Sequence, residues 1–226
     1  MDFMEATERA VFLRRALLVA IYAIAMAYLE SAVVVYLQRA LSMTPSTLFP
    51  LRDQATLGGL GSIEVGREVA TIAMLVTFGW LIGHSSLERL AWISVAFGIW
   101  DIGYYFWLWA FIGWPTSFGS TDLLFLIPVP WVAPVWAPML VSIALIFFGL
   151  IVAQRIRRGE TLVLKIEHWL PLIAGGLVVI VSFTLDARHI RNGGMPSPFA
   201  WPTFILGMVV ACLGVGASLR TRKNSH

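Results

Sequence analysis

Trp100-Asp101-Ile102-Gly103-Tyr104-Tyr105-Phe106-Trp107 decides how this chain is read, because an aspartate stands in the middle of a run apolar enough for a membrane helix. A charged side chain at the centre of a bilayer costs roughly 2.5–3.5 kcal/mol or more unless it meets a partner or a water-filled cavity, so such a group points to function. Apolar sequence continues on both sides of it. The 226 residues are 58% hydrophobic and 13% charged, with a mean hydropathy of +0.80. An ordinary soluble domain is roughly a quarter charged. Windows of about 20 apolar residues recur along nearly the whole length. The expected fold is therefore an all-α integral membrane protein, one membrane domain over 1–226, with six transmembrane helices near 16–37, 63–83, 90–112, 135–153, 169–185 and 201–219.

The stretch that follows Asp101 is the least regular. Pro115, Pro128, Pro130, Pro134 and Pro138 stand among Trp114, Trp131 and Trp136. Proline removes a backbone donor and breaks helix interiors, so Leu123 to Val135 reads as a broken or re-entrant segment lying on protein before the fourth helix. Upstream, Met1 to Arg15 is a charged leader to an uncleaved first span, since a signal-peptide core ending at Ala23-Ile24-Ala25 is too short. Gln38 to Ser62, with Pro45, Pro50 and Gly58-Gly59-Leu60-Gly61, reads as a loop. In the link His84 to Arg89, Ser86 is the expected cap of the third helix. Gly207 and Ala211 give the sixth span a small-residue face for close packing.

The net charge of +3 and the pI near 9.4 do not indicate nucleic acid, because Lys and Arg sit at segment ends. They set topology instead. With six spans, eleven of the sixteen Lys and Arg residues fall on the side that holds both termini, so both termini are expected to be cytoplasmic, in an inner or plasma membrane of bacterial type. Cys212 is the only cysteine, which leaves no disulfide framework.

That orientation gathers the unusual polar groups toward the outside. Glu30 lies about 21 Å along the first helix at 1.5 Å per residue. Glu64, Arg67, Glu68 and Thr71 share one face of the second helix, and Asp101, Tyr104 and Tyr105 one turn of the third. Such faces avoid lipid, so they are expected to meet across an interior cavity open to the outside.

Three chemistries fit these residues. Crowded carboxylates hold a proton near neutral pH, which suits transport of a proton, cation or small polar solute; this is the leading expectation, with Glu30, Glu68 and Asp101 carrying charge, Glu64 beside them, Arg67 as counter-ion and Tyr104 and Tyr105 as hydrogen-bond partners. An acid and a tyrosine in an aromatic pocket also suit an intramembrane enzyme acting on a lipid or quinone. A divalent metal also fits, less well, and there His189 with Asp186 is the only histidine and acid pair on that side. A third reading is an accessory subunit whose polar groups dock a partner membrane protein. Each residue also has a plain structural role open to it. Glu64 and Arg67 form a helix-start ion pair, buried hydrogen bonds lock helices, and His84, His168 and His189 sit at the boundaries. The nucleotide-binding, zinc-protease and nucleophile-elbow signatures are absent, and no span has a central histidine for haem, so no cofactor is assigned.

Overall fold

The computed structural model describes residues 2–44, 49–51, 60–160, 162 and 165–220. Pro45 and Gly58-Gly59 of the expected first loop, and Arg52, Arg222 and Lys223 among the sixteen basic residues counted for orientation, lie outside the described residues. Among the described residues, seven helices and one hairpin follow in the order α1 Asp2–Ala40, α2 Leu60–Ile82, α3 Ser86–Ile112, β1 Thr121–Phe125, β2 Trp131–Pro134, α4 Trp136–Arg157, α5 Ile166–Thr184, α6 Ala187–Arg191 and α7 Trp201–Arg220. Six of the helices among the described residues are long and apolar enough to cross a membrane, as expected for an integral membrane protein. Leu17, Leu29, Leu81, Leu177 and Leu213 are among the large apolar side chains on their outward faces.

Several boundaries differ from the sequence reading. The charged leader is not a separate segment but the first turns of a continuous 39-residue α1. α2 begins at Leu60, inside the expected loop. Ser85, not Ser86, caps α3: its hydroxyl accepts the Glu88 N–H at 3.2 Å, and Glu88 reaches back to accept the His84 N–H at 2.8 Å. This reciprocal arrangement satisfies donors that the first helical turn leaves unpaired. At the other end Gly113 adopts φ 67°, which glycine tolerates, and donates to the Trp109 carbonyl.

The proline-rich stretch is the main departure from an all-α fold. It forms an antiparallel hairpin pairing Thr121 with Pro134, Asp122 with Ala133, Leu123 with Val132 and Phe125 with Trp131, with an irregularity between Leu123 and Phe125. Prolines at 128, 130 and 134 cannot continue a helix, and the ladder satisfies backbone groups that a broken helix would leave bare.

α3 is the hub, packing on α1, α2 and α4, while α5 packs on α7. One apolar core joins Val19, Ala23, Leu75, Trp92, Val95 and Trp100; a second joins Ala133, Ala137, Val179, Phe183 and Phe204. Small residues set the closest approaches. A Cβ at Gly98 would lie 2.6 Å from the Ser142 carbonyl oxygen, and one at Gly149 would lie 2.7 Å from that of Ala91. Gly207 and Ala211 of α7 face Gly175 of α5 in the same way, along the small-residue face noted in the sequence. Arg155 of α4 donates to the Leu219 carbonyl at 2.5 Å, tying α4 to α7.

Gly149→Val should push α3 and α4 apart at a cost typical of overpacking, about 1–3 kcal/mol. Gly216→Ala, whose new methyl group meets nothing within 4 Å, should be neutral or slightly stabilising. Thermal unfolding in detergent checks the pair, and equal midpoints would contradict the close α3–α4 packing.

Candidate functional site

Each polar face named in the sequence is carried inward by a helix that has lipid-facing residues on its other side. Glu30 of α1, Glu64, Arg67 and Glu68 of α2, and Asp101, Tyr104 and Tyr105 of α3 all line one cavity of about 770 Å³. The hairpin closes its polar end with Asp122, Phe125, Leu126 and Trp131. The rest of the wall is mostly apolar, built by Leu145 and Phe148 of α4, Leu172, Val179 and Ile180 of α5, and Met208 and Val215 of α7.

The carboxylates do not crowd together as a single acidic cluster; each is held separately. Arg67 sits between two of them, forming an ion pair with Glu30 and donating from Nε and Nη2 to Glu64 Oε2 at 3.0 and 2.7 Å. Thr71, one turn on from Arg67, donates to Glu30 Oε2 at 2.9 Å. Glu68 turns to the hairpin, where both its oxygens accept the Leu126 N–H at 2.9 and 3.0 Å. Asp101 accepts from the Ser142 hydroxyl of α4 at 2.7 Å. Tyr105 donates to Asp122 Oδ2 at 3.1 Å, and Asp122 Oδ1 accepts its neighbour Leu123 N–H at 2.9 Å. Tyr104 stands within electrostatic reach of Asp122, Arg67, Glu64 and Asp101 together. Its ring packs edge-on against Tyr105 at 5.3 Å.

Two of these residues were not singled out by the sequence reading. Asp122 follows the third span with no partner at helical spacing, and it is only 5% exposed because the hairpin folds back over Tyr105. Ser142 carried no signal beyond being a small hydroxyl in an apolar helix.

The two weak metal candidates fall away from the cavity. Asp186 accepts from the Ser197 N–H and hydroxyl at 2.7 and 2.9 Å, which fixes the loop after α6, and His189 is exposed. Among the described residues no group of three or more His, Cys, Asp or Glu side chains is placed to hold a metal ion. His168, at the boundary where α5 starts, is buried, and its Nδ1 accepts the Lys165 N–H at 3.2 Å.

Asp122 stands on the hairpin, outside the spanning segments, and burial raises its carboxyl from 3.8 to about 6 against the opposing pull of its bonds to Tyr105 and Leu123. A raised acid binds a proton more tightly in the folded than in the unfolded chain. Its contribution to stability is therefore present below about pH 4 and lost as pH rises through about 6.

Comparison of the chain with family models, with curated proteins and with solved structures gives no match.

Asp122→Asn should remove the loss of stability between pH 4 and 6, a difference on the order of 3 kcal/mol for a shift of about two pH units. Unfolding midpoints of both proteins across that range test it; parallel curves would contradict the raised carboxyl. Glu68→Ala should release the hairpin tip, seen as faster hydrogen exchange at the Leu126 amide with the helices still protected. Unchanged exchange there would mean that Glu68 does not hold the hairpin.

Proposed function

We propose that this protein binds a membrane-dissolved amphiphile, with the polar end of the molecule among Glu64, Glu68, Asp101, Tyr104, Tyr105 and Asp122 and its apolar part along α4, α5 and α7. The observation that carries this reading is a cavity of about 770 Å³ with ionisable groups at one end and a mostly apolar wall beyond. Pockets that enclose whole organic ligands span roughly 300–1,000 Å³, whereas an ion or small solute would fill only a small part of this one. The cavity runs between α2 on one side and the α5–α7 pair on the other, over a floor of α3 and α4. A ligand dissolved in the bilayer reaches such a cleft sideways, without crossing water. In this reading the six spans form a bundle with both termini in the cytoplasm and the acidic end outward, following the charge count. An acid such as Asp122, whose carboxyl burial raises to about 6, is suited to exchange a proton with the bound polar end, as in an intramembrane enzyme.

A second reading, proton or cation transfer, draws support from the electrostatic reach of Tyr104 to four charged groups on three elements. The accessory-subunit reading draws less, because Glu30, Glu68, Asp101 and Asp122 already have partners within the chain.

Gly176 lines the cavity, and a Cβ there meets nothing within 4 Å. Solvent extraction and mass spectrometry of the purified protein should find an amphiphile near one per chain. Gly176→Phe should lose it while Gly176→Ala keeps it, both with the helical content of wild type, and Gly176→Phe should also lose the stabilisation that the bound ligand gives. Cys212, the single cysteine and also a lining residue, should react faster with a maleimide in Gly176→Phe if the amphiphile shields it in wild type. No amphiphile in wild type, or equal retention in both variants, would overturn the reading.

A further inference from the structure

Two tryptophans of the cavity wall carry an indole N–H without an acceptor among the described residues. The indole N–H groups of Trp100 and Trp131 are buried without a hydrogen-bond partner among the described residues, and both rings line the cavity. Trp100 is only 5% exposed. Trp107 also lacks a partner, but it lines a separate shallow groove with Tyr28 and plays no part here. Buried donors in native proteins are nearly all satisfied, so an unpaired pair on one cavity wall needs an account.

The surroundings limit what could serve as the acceptor. Trp100 and Trp131 flank Phe125, with ring centroids 6.4 and 5.7 Å from it, and Trp131 continues to Phe183 at 6.1 Å. Flat aromatic faces of this kind favour a planar ring over a branched headgroup. Charge narrows the choice further. Glu30, Glu64, Glu68, Asp101 and Asp122 line the cavity against Arg67 and Arg191, so a phosphate or a fatty carboxylate would enter a site dominated by its own sign. The acceptor that fits is an uncharged oxygen on a planar ring.

We infer that the amphiphile is of the quinone class, a planar ring with carbonyl oxygens and an apolar tail, held in the aromatic section of the cavity with its carbonyls accepting from Trp100 and Trp131. This inference rests on the amphiphile reading above and names its ligand. The tail runs along α4, α5 and α7, and the Asp101 carboxyl, steadied by Ser142, lies in the same wall as the ring.

The test is equilibrium binding of decylubiquinone to the full chain in nanodiscs, by isothermal titration with empty nanodiscs subtracted. Dodecyl phosphate and dodecylamine serve as anionic and cationic probes. Saturable binding of decylubiquinone is expected, stronger than that of either charged probe. Trp100→Phe and Trp131→Phe keep an aromatic ring and delete only the N–H, and each should raise Kd about tenfold, the usual scale for one hydrogen bond. Trp109→Phe, on an exposed side chain outside the cavity, should leave Kd unchanged. Unfolding midpoints within a few degrees of wild type separate lost binding from lost structure, and Trp131 on the hairpin gives a second reading if the Trp100 variant unfolds. Wild-type affinity in both Phe variants, or tighter binding of dodecylamine or dodecyl phosphate, would overturn the quinone assignment while leaving an amphiphile site. Failure of all three probes, together with no copurified amphiphile, would sink the cavity reading itself.

Discussion

A carboxylate enclosed by membrane helices has no water to turn to, so it must take its hydrogen bonds from the protein, and here it takes them from other elements. Glu30 of α1 draws on Arg67 and Thr71 of α2, Glu68 of α2 on the Leu126 amide in the hairpin, Asp101 of α3 on Ser142 of α4, and Asp122 of β1 on Tyr105 of α3. Helices in lipid lack the hydrophobic drive that packs soluble proteins, so close contact of small residues and interhelical hydrogen bonds do more of the holding. The acids that look like a functional cluster in sequence are therefore also the cross-links of the fold.

The same rule operates at the opposite end of the helices. Glu88, at the start of α3, accepts from Arg15 of α1 at 2.9 Å and from the His84 amide at 2.8 Å, with the Trp92 indole at 3.4 Å. That junction uses up its carboxylate in structure and lines no part of the cavity. At the hairpin end the bonds leave a space between elements rather than filling it. There the hairpin brings the Leu126 amide and the carboxylate of Asp122 to the cavity wall, together with the rings of Phe125 and Trp131.

Much of this was open to reading from the residues alone. Length and hydropathy account for the six spans, and the seven polar residues picked out on α1, α2 and α3 line a common cavity because an amphipathic membrane helix has only one interior to face. Helix ends were less legible. α1 carries its helix through the charged leader, and α2 starts among glycines, since neighbouring turns stabilise residues whose own propensity is poor. Asp122 escaped notice because its burial depends on a fold-back of 17 residues onto Tyr105, a pairing with no local spacing.

What the sequence by itself determined is the solvent of each segment and the chemistry on offer: six apolar spans, a proline-rich interruption that could not be helix, and acids too costly to leave facing lipid. Only the tertiary structure decided that the interruption is a β-hairpin, which donor each acid takes, and that Asp186 and His189 stand apart from the cavity. The physical reason is that hydropathy is a property of each residue in its solvent, summed along the chain. A hydrogen bond between elements depends on helix rotation and depth, which periodicity leaves undetermined until neighbouring surfaces lock together.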